Sequence, residues 1–206
     1  MPLALPAHPT PIQTGIRQRS AGRRSRLGRA TELVFLLASG AILTLPAPAL
    51  AQTWAGSTDT LWSTPTNWIG GAVPGAGGEV VINDGTLANQ PTLDVNSAAL
   101  LSTTVSDGTL TVASILTSTT VTVSDSGTLT NSGTITGNLA ITGGTLNNAG
   151  AVFGNVLLSG TGILNLDPGT NITGTTLTVD GGTLNVNDTD TLGALSGTGG
   201  TIVIDP

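Results

Sequence analysis

Apolar and small polar residues alternate along the chain from Glu79 onward. The alternation is clear in Leu110–Val112, Val121–Val123 and Leu177–Val179, and each run is short and bounded by Gly, Asn, Asp or Ser. A period of two is typical of β-strands with one buried side, and the bounding residues favour turns. No stretch after residue 52 has the period of a helix. The pattern therefore predicts an all-β protein.

The predicted strands repeat at a nearly constant interval. Residues 131–143 align without gaps on residues 148–160, and a recurring Leu stands at positions 110, 129, 146, 164 and 184. A period near 20 residues indicates a solenoid, in which each coil buries its apolar side against the next. Because each residue type returns to the same place, we expect a right-handed parallel β-helix of about 17–20 residues per coil. About seven coils fit into residues 79–206, and the recurring Leu should face the core.

Polar residues recur beside these leucines. Asn147, Asn165 and Asn185 each follow one of them, which predicts a ladder of amide side chains between coils. Thr109-Leu-Thr111 and Thr128-Leu-Thr130 place two outward hydroxyls on one strand, as in β-solenoids that bind ice. Sheet propensity and turn chemistry also explain these asparagines and threonines. For the Thr rows, sheet propensity is the favoured interpretation.

Residues 1–51 have the order of a secretory signal peptide. A basic region precedes an uninterrupted apolar run of 13 residues, Leu33–Leu45. That run is shorter than the ~18 residues that a membrane helix needs. The small residues Ala49 and Ala51 follow it, which predicts cleavage between Ala51 and Gln52. We therefore expect an exported protein.

The distribution of charge excludes several functions. All six basic residues and the only His lie in the first 29 positions, so the cleaved chain keeps 11 acidic residues and no basic one. The chain has no Cys. Nucleic-acid binding, P-loop chemistry, Ser-His-Asp or Cys-His catalysis and His-ligated zinc need the missing residue types. We expect no enzyme, no small-molecule substrate and no cofactor.

One acidic cluster has the residue types of a calcium site. Asp188 and Asp190, with Asp180 and Asn187 nearby, could supply oxygen ligands. The EF-hand pattern and the nonapeptide pattern of calcium-binding β-rolls are both absent from the sequence. Asp side chains also close turns. The expectation is therefore a turn without a metal.

All three Trp residues precede the repeats. Trp54, Trp62 and Trp68 lie within residues 52–78, which end in a stretch rich in Gly, Pro and Ala. They could plug the N-terminal end of the solenoid, or form an exposed platform for carbohydrate. An uncovered solenoid end exposes its core and a strand edge, so we expect the plug. The predicted organisation is a leader (1–51), a Trp-containing cap (52–78) and β-helical repeats (79–206).

The Trp segment resembles the start of passenger regions in bacterial autotransporter-type surface proteins. The likeness rests on Trp54-Ala-Gly56, Leu61-Trp-Ser63, Asn67-Trp68, Gly71, Pro74 and Gly78-Glu-Val-Val-Ile82, followed by Gly/Thr/Asn-rich repeats. Members of that family have a leader, a long β-helical passenger and a C-terminal outer-membrane β-barrel. Here no barrel strands with aromatic girdles follow, and Phe153 is the only aromatic residue after Trp68. The resemblance implies a passenger fragment or a truncated reading frame.

These observations lead to a functional expectation. We expect a non-catalytic passenger segment, structural or adhesin-like, at a bacterial surface or outer membrane, with host-surface or polysaccharide ligands as partners. The alternative is a secreted solenoid that binds ice or polysaccharide. Regular Thr rows on one flat face would favour the alternative, and a barrel encoded downstream of Pro206 would favour the passenger.

Overall fold

Parallel β-strands stack in register along the chain. The computed structural model describes residues 51–187 and 191–205, and it is a β-solenoid of about six turns. The predicted all-β parallel solenoid is confirmed, with about one turn fewer than expected. Among the described residues, helical structure is limited to one 3₁₀ turn, Pro65–Asn67.

Fourteen strands make up the described part. They are β1 (Gln52–Thr53), β2 (Glu79–Asn83), β3 (Thr92–Leu93), β4 (Leu100–Asp107), β5 (Thr109–Val112), β6 (Ile115–Val123), β7 (Thr128–Asn131), β8 (Thr134–Ile141), β9 (Thr145–Asn148), β10 (Ala151–Phe153), β11 (Val156–Leu158), β12 (Ile163–Leu166), β13 (Asn171–Asn187) and β14 (Thr191–Asp205). All named strand pairs are parallel.

Each turn contributes to three ladders of paired strands. The first ladder joins the starts of β6 and β8 to β10, and the second joins their ends to β11. The third joins β3, β5, β7, β9 and β12. The long strands β13 and β14 run through all three. From β4 onward, paired residues stand 17 to 21 positions apart, close to the interval that the sequence repeats predict.

Apolar side chains fill the inside of the coil. The recurring leucines stack on one another in the third ladder and are 0% exposed: Leu110, Leu129, Leu146, Leu164 and Leu184. The prediction that they face the core is confirmed. One cluster of buried residues extends from Trp54 to Leu184. The Trp segment and the repeats therefore share a single hydrophobic core.

Glycine marks the bend between the first and second ladders. Gly137 and Gly154 have φ angles of 137° and 150°, in the region that L-residues with side chains avoid. A Cβ atom on Gly137 would lie 1.6 Å from the Ser118 carbonyl oxygen, and one on Gly154 would lie 2.1 Å from that of Gly137. The backbones of successive turns thus approach too closely for any other residue.

Candidate functional site

The three Trp side chains form one buried cluster. Trp54, Trp62 and Trp68 are 3%, 1% and 2% exposed. The ring of Trp68 packs edge to face against both others, with centroids 5.0 Å from Trp54 and 4.6 Å from Trp62. The backbone N–H of Trp54 donates to the carbonyl of Val81 in β2, and the backbone N–H of Trp62 donates to that of Thr92 in β3. The cluster lies against the first strands of the solenoid, and such buried rings cannot serve as an exposed carbohydrate platform.

A polar network holds the loop around this cluster. The buried Asn67 donates from its amide to Asp59 Oδ1 at 2.6 Å, and its own oxygen accepts from the backbone N–H of Thr58 at 2.8 Å. Asp59 also accepts from the Leu61 N–H and the Thr64 hydroxyl. The Leu61 N–H, followed by the Asn67 amide, lowers the pKa of Asp59. Sequence reasoning missed this network because it depends on the folding of the loop.

A second carboxylate fastens the same loop to the solenoid. Asp94 accepts from the Ser63 hydroxyl at 2.6 Å and from the Ser63 N–H at 3.0 Å. Desolvation opposes its ionisation, but the two bonds from Ser63 outweigh it and lower the pKa of Asp94. These carboxylates bind backbone and hydroxyl groups of the chain itself, so their arrangement supports a structural role.

The predicted ladder of amide side chains is present on the outer face of the third strand ladder. Asn165 donates from its amide nitrogen to Asn147 Oδ1 at 2.7 Å, and Asn185 donates to Asn165 Oδ1 at 2.6 Å. A second, internal amide pair was not anticipated. Asn131 and Asn148 are both 0% exposed, and Asn131 donates to Asn148 Oδ1 at 2.7 Å. The sequence signal for this pair was the similar turn that each asparagine begins, Asn131-Ser-Gly and Asn148-Ala-Gly.

The Thr rows, which lie on the outer face of the third strand ladder, are regular over part of the solenoid. Thr109 pairs with Thr128, which pairs with Thr145, and the next partner in that column is Ile163. Thr92 pairs with Thr111, which pairs with Thr130, after which the second column continues as asparagine. Two neighbouring Thr columns therefore extend over three turns each and then change composition.

A groove lies on the outside of the second ladder. Its volume is about 360 Å³, and its walls come from β6, β8, β11 and β13. Outward positions along this ladder are Thr104, Thr122, Ala140, Leu157 and Thr178. Because Ala is the smallest of these side chains, a depression forms between its neighbours. We call it the Ala140 groove.

Two asparagines border the Ala140 groove, each directly after a glycine of the bend, Gly137 or Gly154. Asn138 Oδ1 accepts the N–H of Asn155 at 3.2 Å, and Asn155 Oδ1 accepts the N–H of Thr176 at 3.3 Å. These bonds fix the oxygen of each amide toward the next turn. Both side chains are exposed, so their NH₂ groups remain accessible to a ligand. No charged residue lines this groove.

Several predicted sites fall partly or wholly outside the described residues. Ala49 precedes them, whereas Ala51 is exposed and β1 begins at Gln52. Asp188 and Asp190 also lie outside. Within residues 51–187 and 191–205, no group of three or more His, Cys, Asp and Glu side chains could hold a metal ion. A search of the same residues for a helix long and apolar enough to cross a membrane finds none.

Comparison with protein-family models, with curated proteins and with solved structures gives no match.

Proposed function

We propose that the chain is an exported, non-catalytic passenger segment with a structural or adhesin-like role at a bacterial cell surface. The observation that carries the proposal is that polar side chains of the solenoid hydrogen-bond to one another. Asn147, Asn165 and Asn185 bond to one another between turns, as the internal pair Asn131 and Asn148 does. Such bonds stabilise stacking and add no reactive group. A stacked solenoid presents an extended outer surface, which suits display and adhesion.

The position of the first described strand supports export. Among the described residues, the first strand begins at Gln52, directly after the predicted cleavage position. Removal of residues 1–51 would therefore take away none of the described strands. The resemblance of residues 54–82 to autotransporter passenger regions supports the bacterial surface as the destination.

Export is tested by expressing the full chain in a Gram-negative bacterium and measuring the mature N-terminus by mass spectrometry. We expect a chain that starts at Gln52 and is digested when protease is added to intact cells. A variant with Ala49→Asp and Ala51→Asp should remain uncleaved, because the peptidase requires small residues there. A mature N-terminus upstream of Leu33 would contradict the leader, and protection from added protease would contradict display at the surface.

A second candidate function is binding of ice. The in-register columns of Thr109, Thr128 and Thr145 and of Thr111 and Thr130 favour it. Thermal hysteresis of the exported protein measures this activity. Hysteresis that disappears in the Thr128→Leu variant would favour ice binding over the passenger role.

A further inference from the structure

We propose that the Ala140 groove binds a neutral glycan chain that lies along the solenoid axis. The proposal deepens the adhesin-like role by naming a ligand class and a site, and it rests on that role for the surface location. Three properties of the groove carry it: its shape, its hydrogen-bond donors and its lack of charge.

The shape comes from the outward column of the second ladder. Ala140 lies between Thr122 and Leu157 in adjacent turns, and Leu157 is 38% exposed. The floor is therefore apolar, with hydroxyl groups from Thr122 and Thr178 at either end. The C–H face of a sugar ring packs on a floor of this kind, while its hydroxyls reach polar groups at the rim.

The donors are the amide groups of Asn138 and Asn155. Each amide oxygen is occupied by the backbone N–H of the following turn, so the rotamer is fixed and the NH₂ group remains for a ligand. The two amides stand one turn apart, about 4.8 Å along the axis. A chain of sugar hydroxyls that runs along the axis meets them in succession. Prior fixing of these side chains reduces the entropy lost on binding.

The absence of basic side chains favours neutral over anionic glycans. Residues 30–206 contain no Lys, Arg or His, so an anionic polysaccharide would find acidic side chains and no counter-charge. The groove itself is uncharged. A neutral glycan loses little on desolvation there, whereas an ionised sugar would lose the hydration of its carboxylate without a partner.

The test uses isothermal titration of the purified protein with cellohexaose, maltohexaose and laminarihexaose as neutral probes. Hexagalacturonate is the anionic probe, and an uncharged Ser/Thr-rich decapeptide represents a protein partner. We expect at least one neutral probe to bind. Binding only of hexagalacturonate or of the peptide would overturn the proposal, as would the absence of binding by every neutral probe at millimolar concentration.

Two variants locate the site. Asn138→Asp with Asn155→Asp keeps both oxygens for the backbone and removes both NH₂ donors, so affinity should fall about tenfold or more. The control is Asn96→Asp, because Asn96 Oδ1 also accepts a backbone N–H one turn on, from Ile115, but lies outside the groove. Unchanged affinity in the double variant would overturn the proposal.

The second variant fills the depression. Ala140→Gln should abolish binding, and Thr104→Gln, in the same outward column but away from the groove, should not. Thermal unfolding of each variant verifies that the solenoid is intact. Because titration is performed on purified protein, loss of glycan binding is distinguishable from failure of export or surface display in cells.

Discussion

Inward and outward leucines are neighbours in β11 and differ sharply in burial. Leu158 is 0% exposed, whereas Leu157 is 38% exposed. We expect Leu158→Ala to destabilise the protein by about 2–5 kcal/mol, because it removes buried methyl groups and leaves a cavity. Leu157→Ala, with the same chemistry one position away, should cost less than about 1 kcal/mol. Urea unfolding followed by circular dichroism compares them, and equal losses would show that the assigned core face is wrong.

Substitution of Gly137, at the bend between the first and second ladders, tests how closely the backbones of successive turns approach. Gly137→Ala puts a Cβ atom 1.6 Å from the Ser118 carbonyl oxygen and forces a side chain into a positive φ. We expect a loss of about 2 kcal/mol or more in the free energy of unfolding.

Gly75→Ala is the matched control for this change, since a Cβ atom there meets no atom within 4 Å. Its midpoint of unfolding should stay close to that of the parent protein. A Gly137→Ala variant as stable as the control would mean that the turns are further apart than the structure shows.

At the scale of elements, the buried amides of β7 and β9 form a unit. Asn131 and Asn148 take the place that Val112 and Leu166 hold in neighbouring turns. Asn148→Leu alone leaves the Asn131 amide without its main acceptor and should cost about 1–3 kcal/mol. The double variant, Asn131→Val with Asn148→Leu, restores an apolar stack and should recover most of the loss. A double-mutant cycle by chemical denaturation measures the coupling, and additive losses would contradict it.

The loop that holds the Trp cluster should be sensitive to acid. Hydrogen bonds lower the pKa of Asp59, and the bonds from Ser63 outweigh desolvation to lower the pKa of Asp94. A carboxylate with a lowered folded pKa contributes stability above its unfolded pKa of about 4, and that stability is lost as pH falls through the folded value. Stability should therefore decrease below about pH 4.

Asp59→Asn tests this pH dependence. The variant keeps an oxygen for the Leu61 N–H and Asn67 amide but cannot titrate, so the loss of stability between about pH 4 and pH 2 should be smaller than in the parent protein. Trp fluorescence during denaturant titrations at several pH values reports the change. An unchanged acid slope would indicate that Asp59 contributes nothing to it.

The ladders show which parts of the fold the sequence reveals. The interval between leucines predicts the stacking, because Leu110, Leu129 and Leu146 face one another in successive turns. The outer amide ladder follows from the same interval. The division of each turn into three ladders was not predictable, since β6 and β8 pass from one ladder to the next without a break in the strand. Only the positions of Gly137 and Gly154 indicate the bend.

The Ala140 groove could not be predicted for a related reason. Ala140 is an ordinary small residue in a Thr-rich strand, and its neighbours in space, Thr122 and Leu157, are 18 and 17 positions away. These unequal offsets are known only once the register is known. The accessible amides of Asn138 and Asn155 likewise depend on which oxygen the next turn occupies.

At the scale of the whole molecule, the two ends of the described solenoid differ. The core is covered at the Trp cluster, whereas the inward side chains of β14 are more open, with Leu195 and Ile202 at 49% and 45% exposure. β14 pairs with β13 alone among the described strands. Unpaired strand edges and exposed apolar residues favour association, so the Trp cluster should oppose association through the end that it covers.

The Trp cluster offers the most direct test of that conclusion. Because all three rings are buried, native emission should be blue-shifted and should move to longer wavelength on unfolding. Trp62→Ala with Trp68→Ala removes two buried aromatic side chains, at about 3–5 kcal/mol each, and opens the core beside β2 and β3. We therefore expect a lower unfolding midpoint together with concentration-dependent association, measured by analytical ultracentrifugation.

Phe153→Ala is the control for the loss of an aromatic residue, since Phe153 is 54% exposed on the outside of β10. It should leave both stability and association nearly unchanged. If the Trp double variant were as stable and as monomeric as this control, the three rings would not be covering the end of the solenoid. Trp62→Phe tests the contribution of the ring itself, because it keeps an aromatic side chain against Trp68, while the backbone carbonyl of residue 62, which accepts the Trp68 indole N–H at 2.8 Å, is present in every variant. That variant should retain most of the stability, since burial of apolar area is the larger contribution here.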